Sequence, residues 1–194
     1  MKFTSKILSD CIVSDNEYFC CYEKGDIIER YTQNNKHAGY SVPRPHRISH
    51  DKQENCLWVV TRENFIFKYD LEMKCVMGEE WELRGRTPLY VAPNRRGEVL
   101  VLIEGLNQIE VYTKNMQYLR LFNTSPFLNA FHFVQDQNGN YYIMSELGIT
   151  IVTESGRIKE GEYFDFGSRT QRLRMNKAGD YCEMYDIKTV PLVL

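Results

Sequence analysis

The chain has 194 residues, enough for one large domain or two small ones with a real core. Hydrophobic residues make up 43% and charged residues 26%, the balance of a folded soluble protein, and the formal net charge of −2 excludes a global field drawing the whole molecule to nucleic acid or membrane. Aromatics reach 13%, with 13 Tyr and 10 Phe, which favours strands over helices.

The first ten residues, Met1 to Asp10, have no apolar run long enough for a secretory signal. No stretch approaches the ~18 apolar residues of a membrane span. A cytoplasmic location is therefore expected, and no membrane partner. A degenerate turn follows at Ser14-Asp15-Asn16-Glu17, then an apolar run from Tyr18 to Tyr22, a turn at Lys24-Gly25 and a strand at Ile27-Ile28. Thr32 to Arg47 reads as an outer strand plus a long loop. Next come the turn Asp51 to Asn55, the strand Cys56 to Val60, the turn Glu63-Asn64 and the strand Phe65 to Tyr69.

The order then repeats. Asn94-Arg95-Arg96-Gly97 precedes Val99 to Ile103; after Gly105-Leu106 comes Ile109 to Tyr112, and after Thr113 to Met116 comes Tyr118 to Phe122. Asp136-Gln137-Asn138-Gly139 precedes Tyr141 to Met144, then Leu147-Gly148, Ile149 to Val152, Glu154 to Arg157 and Ile158. A last copy begins at Asn176-Lys177-Ala178-Gly179 and continues through Tyr181 to Met184.

The Asx-x-x-Gly turns recur about every forty residues, the size of a propeller blade. Asx bonds its own backbone two residues on, and Gly tolerates positive φ, so each signature predicts a tight hairpin. The runs between them are too short for helices, and Ile109/Val111 and Ile149/Ile151 alternate with period two. One unit is thus about four short antiparallel strands, which needs stacked neighbours to bury both faces. The expected fold is all-β: a β-propeller of about five blades, a small or incomplete ring. The blades are expected at 9–45, 46–86, 87–126, 127–168 and 169–194, the last completed by 1–8. An open ring would expose an edge and invite self-association.

The segment Phe131 to Arg157, FHFVQDQNGNYYIMSELGITIVTESGR, resembles the NHL-repeat class of propeller and the wider six-bladed propellers. The Gly-Ile/Val pair common before the Asp in NHL blades is absent from every copy. WD40 is disfavoured, because no Trp-Asp ends a strand.

Cys11, Cys20, Cys21, Cys56, Cys75 and Cys182 form no C-x-x-C pair and read as reduced thiols; Cys20 and Cys21, adjacent on a strand, point to opposite faces. Asp136-x-Asn138-x-Asn140 lacks the glycine and distal glutamate of a calcium loop and reads as a hairpin turn. Asn123-Thr124-Ser125 matches a glycosylation sequon, idle in the cytosol. Of His37, His46, His50 and His132, none lies at ligand spacing from another on one element except His46 and His50, which straddle a loop and a strand, and each reads as structural or solvated. Trp58, Phe65, Phe67 and Tyr69 read as core between blades. No catalytic residue, metal or cofactor is expected, and the protein reads as a non-enzyme.

The segments leading into the innermost strands carry Arg and His rather than the carboxylates a metal-dependent hydrolase needs. They bring Arg44, His46 and Arg47, then Arg84 and Arg86, then Asn129, then Arg169, Arg172 and Arg174, with Tyr90 and His132 just inside their strands. In a rotationally repeated fold such positions converge on one face. The expected function is a recognition scaffold that binds a protein or peptide, acidic or phosphorylated, through that face. Two alternatives are single-stranded RNA binding through the same loops, as in some NHL propellers, and a small-ligand sensor propeller. The bland reading is that these arginines are solvated or pair locally with Glu79, Glu80, Glu82 and Asp165.

Overall fold

A computed structural model describes residues 8–14, 17–22, 24–32, 37–83, 85–106, 108–123, 129–146, 148–163, 171–175 and 182–186. Side chains are described at 10, 17–22, 24–31, 38–77, 83, 85–106, 108–123, 129–146 and 148–159. The described residues form strands and turns and no helix, so none is long and apolar enough to cross a membrane.

The first sheet holds β1 (Leu8–Ser14), β2 (Glu17–Tyr22), β3 (Ile27–Thr32) and β4 (His37–Ser41). The second holds β5 (Pro45–Asp51), β6 (Cys56–Thr61), β7 (Phe65–Asp70) and β8 (Cys75–Glu82). The third holds β9 (Pro88–Pro93), β10 (Val99–Ile103), β11 (Gln108–Tyr112) and β12 (Tyr118–Asn123). The fourth holds β13 (His132–Gln135), β14 (Tyr141–Ser145), β15 (Gly148–Val152) and β16 (Ile158–Tyr163). A two-stranded sheet pairs β17 (Gln171–Met175) with β18 (Cys182–Asp186). In every sheet the strands lie side by side in chain order. This is an all-β architecture of four-stranded antiparallel sheets. Residues 1–7, expected to complete the last blade, lie outside the described residues; Leu8 pairs with Tyr22 in the first sheet.

The chain divides into two compact units at Ala92/Pro93, inside β9. In the first unit β1 and β2 pack against β5. Phe19, Cys21 and Ile28 of the first sheet meet Ile48, Leu57, Val59 and Tyr69 of the second, with Val42 and Met73 closing the cluster. Fully burying such side chains contributes about 1.5–3 kcal/mol each. The register explains which residues take part: Ile48 faces Val59 and Leu57 faces Tyr69, so all four share one face of the second sheet. Ser49, Trp58 and Lys68 lie on the other face. Cys20 packs with Tyr22 in a separate cluster from Cys21, as strand alternation requires.

Side chain to backbone bonds tie successive first strands together in this unit. Asp10 Oδ2 on β1 accepts the Ile48 N–H of β5 at 3.1 Å, and Ser49 Oγ donates to the Val91 carbonyl of β9 at 2.5 Å. In the second unit β13 and β14 pack against β17. There the Phe122 ring stacks on Tyr141 at 5.3 Å, and Phe133 meets Tyr141 edge-on at 6.4 Å. Trp58 and Tyr69 are buried core, while Phe65 and Phe67 are half-buried; the Trp81 side chain lies outside the described residues.

Candidate functional site

Each four-stranded sheet has two ends. One carries the hairpins joining its first strand to its second and its third to its fourth. The other carries the hairpin joining second to third and the segment that leads into the first strand.

The first end is closed by Asx and Thr side chains. Asp51 Oδ1 accepts the N–H groups of Gln53 at 3.0 Å and Glu54 at 3.1 Å. Asn94 Oδ1 accepts those of Arg96 and Glu98, both at 2.9 Å. Asp136 Oδ1 accepts those of Asn138 and Asn140, both at 2.8 Å. Gly97 and Gly139 supply positive φ of 73° and 83°, and Asn55, at 51°, does so in the turn that lacks glycine. The choice between Asn and Asp follows its neighbour. Asn94 Nδ2 donates to Glu98 Oε2 at 2.7 Å, whereas Asp136 Oδ2 accepts from Asn140 Nδ2 at 2.8 Å, the same bond with donor and acceptor exchanged. The second hairpin series reuses the device: Asp70 Oδ1, Thr113 Oγ1 and Thr153 Oγ1 accept the N–H groups of Lys74, Gln117 and Arg157. The turn at Asp70 has Met73 at its positive-φ position and no glycine, which hides it in the sequence.

Two arginines at this end are neutralised, while Arg157 is exposed. Arg120 grips Glu98 with both guanidinium nitrogens at 2.7 and 2.8 Å, and Arg96 reaches Glu154 at 2.6 Å. The Arg120 hydrogen bonds are the main reason the Glu98 carboxyl is held below the usual carboxylate range. On β3, Arg30 pairs with Glu17 at 2.6 Å and Glu72 at 3.3 Å.

The lead-in end differs. Arg44 and Asn129 stand the same number of residues before the Asx residues Asp51 and Asp136. Both are exposed and both hold positive φ, 37° and 59°. An arginine there is uncommon, and this one sits between Pro43 and Pro45. Its backbone is held on both sides: the Arg44 N–H donates to Asp26 Oδ1 at 3.1 Å, and its carbonyl accepts the Arg62 N–H at 2.9 Å. Arg62 opens the β6–β7 turn, which Thr61 Oγ1 pins by accepting the N–H groups of Glu63 and Phe65. The Arg62 side chain is exposed.

His46 and Arg47 are half-buried on β5. Arg86 is half-buried, with Nε on the Leu83 carbonyl at 3.3 Å. Tyr90 and His132 are buried, at 7% and 4% exposure, so neither offers an open ring face for stacking. Asn129 Nδ2 donates to Glu146 Oε2 at 3.2 Å. Arg84 and Arg169 lie outside the described residues. Arg172 and Arg174 fall two apart within β17, their side chains outside the description, as are those of Glu79, Glu80, Glu82 and Asp165.

The structure adds Arg62 and Asp26 to the site. A signal for Arg62 was present in the repeat: the residue directly after the second strand is Glu23, Arg62, Glu104 and Glu146 in the four sheets. Only the second sheet reverses the charge.

One expectation needs correcting. His46 and His50 do not straddle a loop and a strand; both lie on β5, which begins at Pro45 because Pro45 already pairs with Thr61. The Asp136 carboxylate is fully engaged in turn bonds, leaving its chemistry to the hairpin. Among the described residues, Asp51, Glu54 and Cys56 bring ligand atoms within 4.8 Å of one another. There Lys68 Nζ already pairs with Glu54, lying 5.1 Å from the centre of the Trp58 ring, and burial pushes the Cys56 thiol up to about 12. The cluster is a lysine-neutralised corner of the second sheet. Cys20, Cys21, Cys56 and Cys75 form no disulfide.

No family model matches the sequence, and no curated protein matches it. Solved structures do. The chain is similar to virginiamycin B lyase from Staphylococcus aureus, at 14% identity over 97% of this chain and 72% of that one, with a TM-score of 0.66. A catalytically inactive variant of that lyase, with quinupristin, matches at 13% identity over 97% and 73% of the two chains, with a TM-score of 0.68. A Bacteroides caccae protein of unknown function matches at 13% over 82% and 61%, with a TM-score of 0.65. The fold is therefore that of a β-propeller, a general scaffold for displayed loops. At these identities the likeness extends to the fold alone.

Proposed function

We propose that this chain is a non-enzymatic recognition scaffold, of the NHL-like kind, that binds a protein or peptide through the lead-in end of its sheets. The observation that carries this reading is Arg44, which is exposed and holds a backbone conformation that costs a residue of its kind about 1–2 kcal/mol. Strain kept at an exposed arginine between two prolines fits a surface selected for what it contacts. The reduced thiols at Cys20, Cys21, Cys56 and Cys75 fit the cytoplasmic location that belongs to the same reading.

The test uses the whole chain on an array of fifteen-residue peptides, beside an Arg44→Ala variant of equal melting temperature. Sequence-selective binding that falls at least tenfold in the variant is expected. Equal binding by both proteins would sink the reading. So would turnover of quinupristin, the compound in one of the similar structures, followed by chromatography: it would make the chain an enzyme.

A further inference from the structure

We propose that Arg44 and Arg62 form a two-arginine anchor for a phosphate monoester, carried on a phosphorylated serine or threonine of the bound peptide; this rests on the scaffold reading above. Three observations lead to it. First, the two residues are joined through their backbones, Arg62 N–H to Arg44 carbonyl at 2.9 Å, so their side chains leave adjacent points of one surface. Second, both side chains are exposed, and among the described residues neither guanidinium has a hydrogen-bond or ion-pair partner. That contrasts with Arg30, Arg96 and Arg120, each closed onto a carboxylate. Third, the repeat supplies an internal control. The fourth sheet fills the matching two positions with Asn129 and Glu146, bonded to each other, where the second sheet has two cations.

The surrounding charges define the ligand. Asp26 and Glu63 stand at the same end, and Lys24 is exposed in the neighbouring β2–β3 turn. Asp26 Oδ1 is committed to the Arg44 N–H, which fixes the loop rather than neutralising the guanidinium. Two planar forks on anchored backbones suit a dianionic tetrahedral group that accepts several charge-assisted hydrogen bonds. A single carboxylate would leave one arginine unsatisfied. Pro43 and Pro45 restrict the loop before binding, which lowers the ordering cost of the complex.

Fluorescence anisotropy of the full chain tests this with three labelled nine-residue pools, degenerate except for a central phosphoserine, serine or glutamate. The phosphoserine pool is expected to bind at least tenfold tighter than the serine pool. Arg44→Ala and Arg62→Glu should each abolish that difference, while Arg157→Ala, an exposed arginine at the opposite end of its sheet, should preserve it. Arg62→Glu installs the residue that follows β2, β10 and β14, so it tests the charge in a sequence the repeat already accepts. Equal binding of the phosphoserine and serine pools overturns the anchor and leaves the scaffold reading standing. Failure of all three pools to bind overturns both. Tighter, Arg62-dependent binding of labelled oligouridylate, or of phosphatidylcholine vesicles carrying a phosphoinositide, overturns the peptide as the source of the phosphate.

Discussion

At the hairpin end of the second, third and fourth sheets, Asp51, Asn94 and Asp136 spend their side-chain oxygens on backbone N–H groups, and Arg96 and Arg120 spend their charge on Glu154 and Glu98. At the lead-in end of the second sheet, the backbone of Arg44 is held just as firmly, by Asp26 and Arg62, while both arginine side chains stay exposed. The same kinds of residue thus do opposite work. Where polar groups satisfy one another they define a turn, and where only the backbone is satisfied the side chain stays in solvent, as the proposed anchor requires.

The contrast predicts that hairpin-end substitutions move stability and lead-in substitutions move binding. The largest effect is expected at Gly156. Its φ is +85°, and a Cβ there would lie 2.8 Å from Phe122 Cβ, whose ring stacks on Tyr141. Gly156→Ala should cost about 2–4 kcal/mol, read as a lower urea midpoint at unchanged slope. Next comes Asn94→Ala, which strips two N–H groups, Glu98 and the Tyr141 hydroxyl of a buried partner. A loss of about 2 kcal/mol is expected in the same measurement. If either variant instead leaves stability untouched and changes peptide binding, the contrast is broken.

Glu98 gives a smaller, pH-dependent effect. Its carboxyl is held down chiefly by the Arg120 hydrogen bonds, so the folded state binds that proton more weakly than the unfolded chain does. The stabilisation is complete above the unfolded carboxylate value of about 4.3 and disappears as pH falls through the lower folded value. Glu98→Gln should therefore cost roughly 1 kcal/mol at pH 7 and less at pH 3. Parallel urea titrations at the two pH values check this, and an equal deficit at both would contradict it.

The smallest effect on stability, and the sharpest on the comparison, belongs to Arg44→Gly. Glycine relieves the φ of 37° but loosens the unfolded chain, so the balance should lie within about 0.5 kcal/mol of zero. Melting temperature should hold while peptide binding drops. A large loss of stability would mean that the arginine is structural and that the lead-in end resembles the hairpin end after all.

Much of the fold was legible because its signals are local. Asx, Gly and period-two alternation act over five residues or fewer, so strands such as Val99–Ile103 and Tyr141–Ser145 announce themselves. Turns without glycine, such as Asp70 to Met73, do not, since methionine carries no mark of its positive φ. The candidate site was legible in half. Arg44 and Asn129 follow from the repeat, but Arg62 emerges only when the residues after each second strand are compared. The burial of Tyr90 and His132 had no local sign.

By itself, the order of amino acids determined a chain of short antiparallel strands with a period near forty residues and the chemistry of its hairpins. What only tertiary structure decided was which charges are closed and which are open. Arg96 finds Glu154 58 positions away, Arg30 finds Glu72 42 away, and Arg44 meets its loop-fixing partner Asp26 18 away. A lone charge looks the same in sequence whether or not a carboxylate waits across a neighbouring sheet, because Coulomb attraction depends on distance in space and not along the chain.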